Sequence, residues 1–255
     1  GDYVEFKADN ENEGYVLKIL ERKNQLVRPP VANVDCAIVV TACVEPDFSS
    51  NLLDRQLVML SENEIVPILY FSKADLMDET TKERMLPVFD YYSKYYRTVV
   101  SEKNMADEEL VSALLEEAGN VLVVMGQTGA GKSTLLNRLD PKLKLETGEI
   151  SKALSRGRHT TRKVSLMDVK GHLIADTPGF SSFELREIEK ERLSSLFEDF
   201  NEYSPQCRFR GCLHLNEPDC AVKAAVLEGK ILESRYENYK LFQKMIQEQK
   251  PRYKR

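Results

Sequence analysis

Val121-Leu-Val-Val-Met125 runs directly into Gly126-Gln-Thr-Gly-Ala-Gly-Lys132-Ser133, and that loop into Thr134-Leu-Leu-Asn-Arg-Leu139. The first piece is a short continuous apolar run, as expected of a strand buried on both faces. The second has the spacing G-x-x-x-x-G-K-[ST], and the third continues it as an apolar helix. Glycines let backbone N–H groups turn inward around phosphate oxygens, and a helix N-terminus adds partial positive charge. Gly126, Gln127, Thr128, Gly129, Ala130, Gly131 and Thr134 are therefore expected to surround a nucleotide's phosphates. Lys132 is expected to reach the β- and γ-phosphates, and Ser133 to hold Mg²⁺. A glycine-rich turn without a ligand requires neither the strand before it nor the helix after it, and both are present.

Upstream, Cys36-Ala-Ile-Val-Val-Thr-Ala-Cys43 is a second continuous apolar run, Ile65 to Phe71 a third, and Arg97 to Val100 a short fourth. Helical patterns separate them: Leu52 to Leu60, Glu79 to Tyr96 and Asp107 to Ala118. Strands alternating with helices predict parallel βαβ units in a doubly wound sheet. Val164 to Val169 and His172 to Ala175, turning at Gly171, predict a hairpin that makes the sheet mixed. Before all of this, Asp2 to Phe6 and Tyr15 to Ile19 read as half-buried strands around a turn at residues 10–14, with a linker after them at Arg28-Pro29-Pro30. Some thirty residues cannot bury a core alone. This hairpin either packs on the rest of the chain or forms part of a small β-barrel.

Two more loops belong to the phosphate chemistry. Asp176-Thr-Pro-Gly179 ends the strand His172 to Ala175. An acidic residue there is placed to bind Mg²⁺ through water, and the Gly179 N–H to meet the γ-phosphate. Ser72-Lys73-Ala74-Asp75 comes after the strand ending at Phe71 and resembles the guanine-reading N-K-x-D motif, with Ser72 where Asn is usual. The Asp75 carboxylate can accept from guanine N1–H and its 2-amino group, donors that adenine does not offer in that arrangement, while the Lys73 stem covers the base. Ser101-Glu102-Lys103 is a weaker match to the S-A-K loop that also touches guanine.

Cys207-x4-Cys212-x-His214-x5-Cys220 gathers three thiols and one imidazole within 14 residues. Three thiolates and a His make a closed tetrahedral Zn²⁺ site, structural rather than catalytic because protein fills all four positions. The five cysteines are odd in number, with three clustered, which fits a reducing cytoplasmic compartment better than a disulfide framework. No apolar run approaches the roughly 20 residues that span a bilayer, so no membrane partner is expected, and a monomer is. The 255 residues carry 36 Lys+Arg against 41 Asp+Glu, a net charge of −5. Any nucleic-acid surface must then be local. Lys152, Arg156, Arg158, Arg162 and Lys163 form one basic run, Arg208 and Arg210 lie between the cysteines, and Lys250 to Arg255 ends the chain.

The order of the loops is itself informative. In an ordinary GTPase the phosphate loop comes first and the base-reading loops last; here Asp75 and Ser101 precede Gly126, and Asp176 comes after it. Such a circular permutation is workable because function depends on where loops sit along the sheet's C-terminal edge. This order, together with Gly157-Arg-His159-Thr-Thr-Arg162, Asp176-Thr-Pro-Gly-Phe180 and the cysteine pattern, resembles the ribosome small subunit-dependent GTPase A family over nearly the whole chain. The resemblance implies three parts: an OB-like partial barrel and linker over residues 1–32, a permuted GTPase domain over 33–186, and a helical zinc domain over 187–255. It also implies GTP and GDP as ligands, and late maturation of the small ribosomal subunit through contact with its rRNA.

Many GTPases orient the attacking water with a Gln directly after D-x-x-G, but here Phe180 stands there. His159, in the polar segment that reads as switch I, can accept a hydrogen bond from water, and a His at this position is implicated in the family. Thr161 is the expected switch ligand to Mg²⁺, with Thr160 the alternative. Two other readings use the same residues: a zinc-bearing RNA-binding assembly factor with a purely structural nucleotide, and an ATPase or nucleotide kinase. Lys132, Ser133 and Asp176 speak against the first, and Asp75 against the second.

Overall fold

A computed structural model describes residues 1–10, 13–27, 30–145, 166–175, 185 and 188–248. Its centre is a six-stranded sheet. The strands are β5 (Cys36–Ala42), β6 (Val66–Ser72), β7 (Arg97–Val100), β8 (Val121–Met125), β9 (Leu166–Val169) and β10 (His172–Ala175), in the order β7-β6-β5-β8-β10-β9. All neighbouring pairs are parallel except β9–β10, the expected hairpin.

Alternation along β5 explains why every residue of that strand is buried. Ala37 and Val39 enter the core beneath the helices α1 (Ser50–Glu62) and α2 (Glu79–Tyr92). Cys36, Ile38, Val40 and Ala42 enter the core beneath α3 (Asp107–Leu115) and α4 (Lys132–Leu139). A strand covered on both sides has no face left for polar residues. Ser49 caps α1 by accepting from the Leu52 N–H at 3.3 Å, and Asp78 caps α2 by accepting from Thr81 at 2.8 Å. The helix expected to reach Tyr96 ends at Tyr92, and the one expected to reach Ala118 ends at Leu115. In each case turn-type backbone bonds, Tyr95 to Tyr92 and Ala118 to Leu115, take over.

The chain leaves β5 outward to β6 and β7, returns to β8 beside β5, and then goes outward the other way to β10 and β9. The direction of winding thus reverses between β5 and β8. Loops leaving the C-terminal ends of those two strands part there and open a crevice, the usual ligand position in such sheets.

The N-terminal segment consists of two antiparallel hairpins in separate two-stranded sheets: β1 (Val4–Asn10) with β2 (Glu13–Ile19), and β3 (Gln25–Val27) with β4 (Pro30–Ala32). Among the described residues they close no barrel. The strands of the first hairpin extend further than the sequence suggests, and β2, expected to be half-buried, is exposed along its whole length because no other described element covers it. The second lies partly where a linker was expected. Pro30 is tolerated as the first residue of its strand, and Leu26 pairs directly with Val31, both buried in the core under α1 and α2.

Beyond residue 188 a third core forms around Phe197, Phe200, Tyr239 and Phe242. Its helices are α5 (Phe200–Tyr203), α6 (Ala221–Leu227) and α7 (Glu233–Gln247). Val58 of α1 belongs to the same core, so α7 lies against α1. Among the described residues no helix is long and apolar enough to cross a membrane.

Candidate nucleotide site and cysteine cluster

The phosphate-binding pattern lies at the reversal point, after β8. Gly126 has φ 147°, and a Cβ there would stand 2.2 Å from the Val40 carbonyl oxygen of β5, so only glycine lets the loop leave the strand this way. Gly131, at φ 92°, precedes the first helical residue, Lys132. The Lys132 ammonium donates to the carbonyls of Gly126 at 2.8 Å and Gln127 at 2.9 Å, and so lies folded over the loop. Ser133 comes next in the first turn of α4, with Thr134 beside it. The arrangement can cradle an anion between backbone N–H groups, a helix N-terminus and one ammonium.

The base-reading candidates occupy the adjacent loops on the same edge. Ser72 is buried, and its hydroxyl donates to the Ala130 carbonyl at 2.6 Å. The serine that stands in place of the usual Asn thus ties the end of β6 to the phosphate loop. Ser101, also buried, accepts from the Ala74 N–H at 3.1 Å, and its own N–H donates to the Phe71 carbonyl at 2.8 Å. Lys73 adopts a left-handed conformation and donates to the Glu45 carbonyl. Asp75 lies in a short 3-10 turn with its side chain exposed. The loop 72–75 is thus joined to the phosphate loop through Ser72 and to the loop after β7 through Ser101.

His159, Thr160, Thr161, Asp176, Gly179 and Phe180 lie outside the described residues, as do Lys152, Arg156, Arg158, Arg162, Lys163 and residues 250–255. The other two histidines have definite places away from the crevice. His172 Nδ1 is 2.6 Å from the Gly119 carbonyl, at the start of β10 and so at the opposite end of the sheet.

His214 is in the cysteine cluster. The donor atoms of Cys207, Cys212, His214 and Cys220 all lie within 4.8 Å of one another. Cys207 Sγ and Cys220 Sγ are 3.9 Å apart, and His214 Nδ1 is 3.3 and 3.6 Å from Cys220 and Cys207. With Zn–S bonds of about 2.3 Å, a tetrahedron has S···S edges of roughly 3.8 Å, so the donor set fits the ion. The other imidazole nitrogen, Nε2, faces the Ser204 hydroxyl at 3.2 Å, which leaves Nδ1 for a metal. Tyr236 and Tyr239 hold the cluster's backbone by donating to the His214 and Leu213 carbonyls at 2.7 and 2.6 Å. Burial pushes the Cys212 thiol up to about 12, and burial with the neighbouring Cys207 sulfur raises Cys220. Burial lowers His214, favouring the neutral imidazole that ligates metals. Cys212 and Cys220, which resist ionisation here, ionise readily once a divalent cation neutralises them.

Sequence reasoning missed one element of the nucleotide crevice, the segment 43–49 between β5 and α1. It supplies the Glu45 carbonyl to Lys73, and Pro46 Cδ lies 3.6 Å from where a Gly129 side chain would begin. A contact made through a carbonyl leaves no trace in residue type. Pro46 was its only signal.

Comparisons with known proteins agree with this geometry. The chain is similar to the small ribosomal subunit biogenesis GTPase RsgA of Limosilactobacillus reuteri, 56% identical over 256 residues, covering 100% of this chain and 86% of that protein. The namesake protein of Pediococcus pentosaceus is 52% identical over 256 residues, covering 100% and 83%. Among solved structures, YloQ, a circularly permuted GTPase, superimposes with a TM-score of 0.81 at 41% identity, covering 99% of this chain and 82% of that one. YjeQ from Thermotoga maritima gives a TM-score of 0.82 at 33% identity, covering 98% and 84%. The family model for the RsgA GTPase matches residues 19–186. With its phosphate loop after its base-reading loops in a mostly parallel sheet, and with full-length relatives above half identity, the chain belongs to the RsgA GTPase family.

Proposed function

We propose that this protein is a Mg²⁺-dependent GTPase of the cytoplasm. It engages the small ribosomal subunit through rRNA late in the subunit's maturation, and hydrolyses GTP to GDP and phosphate to leave it. The observation that carries the reading is the hydrogen bond from Ser72 to the Ala130 carbonyl. It joins a guanine-reading loop to a phosphate loop in one crevice, which a phosphate-binding turn of any other purpose would not require.

Each role comes from the chemistry of the group. Backbone N–H groups of residues 126–131 and the start of α4 bind the phosphates. Lys132 exchanges its two loop carbonyls for phosphate oxygens, and Asp75 accepts from the guanine edge. Ser133, Thr161 and Asp176 would hold Mg²⁺, which neutralises charge gathering on the phosphate oxygens. His159 orients the attacking water. Cys207, Cys212, His214 and Cys220 would hold a structural Zn²⁺ that fixes the segment bearing Arg208 and Arg210, both exposed and able to face RNA phosphates. The three-part division at residues 32 and 186 is part of the same reading, as is a monomeric state.

GTP turnover by the full chain, measured alone and with purified small or large ribosomal subunits, tests the proposal. The small subunit is expected to raise the rate and the large one not to. No turnover in any of the three mixtures would favour a nucleotide that is bound but not hydrolysed, and equal nonzero rates would remove the small subunit as the stimulating partner.

A further inference from the structure

The segment 43–49 touches both halves of the nucleotide crevice, through Glu45 on Lys73 and Pro46 beside Gly129. Phe48 packs on Phe71, ring centroids 6.1 Å apart, and Phe71 immediately precedes Ser72. The segment ends at Ser49, which caps α1. The first turn of α1 is gripped from outside the GTPase sheet, by Asn238 of α7. The buried Asn238 amide donates to the Asp54 carboxylate at 2.7 Å and to the Ser50 hydroxyl at 3.2 Å, and accepts from the Asn51 amide at 3.1 Å.

We infer that Asn238 is a positioning residue for the guanine nucleotide: through the first turn of α1 and the Glu45 carbonyl, it holds Lys73 over the base. The inference rests on the guanine-nucleotide reading of the crevice. Its physical content is a chain of direct contacts from Asn238 to Ser50, Asn51 and Asp54, from there along five residues of backbone to Glu45, and from Glu45 to Lys73. A partner that displaces α7 would loosen Lys73 and speed nucleotide release, and bound nucleotide would in turn favour a docked α7, since such coupling is reciprocal.

A double-mutant cycle on the full chain tests this, with release of a fluorescent GDP analogue chased by excess GDP as the readout. Asn238→Ala is expected to speed release about fivefold or more, and Lys73→Ala to speed it as well. Combined with Lys73→Ala, Asn238→Ala is expected to add less than about twofold, because the lysine it acts through is gone. A merely structural loss would speed release by the same factor in both backgrounds, and that multiplication overturns the inference. So does release at the parental rate from Asn238→Ala. If Lys73→Ala alone releases GDP like the parent, the base-reading assignment fails and the coupling fails with it. Melting curves of each variant confirm folding, and Asn51→Ala runs the same cycle from the α1 side if Asn238→Ala melts below the assay temperature.

Discussion

Arg235 of α7 reaches Asp54 of α1 at 2.5 Å and, with its other terminal nitrogen, Asp199 at 2.6 Å, all three side chains being essentially without solvent contact. Tyr91 donates to Asp199 and Tyr92 to Asp54, and the guanidinium lies 4.7 Å from the Phe197 ring centroid. The two carboxylates share the one guanidinium, and the group ties the C-terminal segment to α1 and α2. Removing the cation alone would leave two carboxylates facing each other in a dry core. Arg235→Met is therefore expected to cost about 3–5 kcal/mol, read as a lower urea midpoint. Adding Asp54→Asn and Asp199→Asn is expected to recover part of that loss, because no uncompensated charge remains.

Asp35 anchors the connection that the permuted order requires, between α3 and β8. Its carboxylate accepts from the N–H groups of Asn120 at 2.7 Å and Val121 at 2.9 Å and pairs with Lys23. Burial opposes its ionisation, but the hydrogen bonds from Lys23, Val121 and Asn120 prevail and hold it below its ordinary value of 3.8. A carboxyl depressed by folding contributes stability that is complete above the ordinary value and lost as pH falls through the folded one. Asp35→Asn is thus expected to destabilise the chain by about 1–3 kcal/mol at pH 7. The gap between variant and parent should stay constant down to about pH 5 and narrow below about pH 4. Urea unfolding of both proteins across that range checks it.

For the cysteine cluster, elemental analysis is expected to find one zinc per chain, lost in Cys212→Ala. Metal binding there is folding free energy, so chelation or the variant should open the segment around residues 204–220 to protease while leaving the sheet intact. Equal protease resistance with and without metal would count against a structural ion.

Base choice is expected to depend on Asp75. In Asp75→Asn the side-chain amide donates where the carboxylate accepted, which suits the 2-oxo group of xanthine and not the 2-amino group of guanine. GTP affinity should fall and xanthosine triphosphate affinity rise, as measured by calorimetry. Unchanged GTP affinity would remove residues 72–75 from base reading.

The parts of this molecule legible in sequence are those encoded locally. The run 121–139 carries strand, turn and helix signals in consecutive residues, and the cysteine cluster sits within 14 positions. What could not be read depends on distance or on backbone. Arg235 and Asp54 are 181 residues apart, and no periodicity links them. Glu45 acts through its carbonyl, which every residue has. The β3–β4 hairpin has three-residue strands, and Arg28-Pro29-Pro30 in the sequence reads as a linker until Leu26 and Val31 are seen buried opposite each other. Ser72 could be flagged as a departure from the usual Asn, but its bond to Ala130 required knowing that two loops 58 residues apart adjoin.

The chemistry of hydrolysis turns on the water. Phe180, directly after Asp176-Thr-Pro-Gly179, has no group to orient it. Of the three histidines, His214 faces the cysteine sulfurs and His172 contacts Gly119 at the far end of the sheet, which leaves His159 as the imidazole in the candidate switch segment. With the phosphates assigned to Lys132 and the loop backbone, His159→Ala is expected to bind GTP nearly as the parent does. Loss of one positioned acid–base group should lower turnover about 10²-fold or more. The rate to compare is the one measured with the small ribosomal subunit present, where the nucleotide-bound state is the working one. Parental turnover in that assay, with subunit binding intact, would transfer the orientation of the water to backbone groups or to the subunit itself.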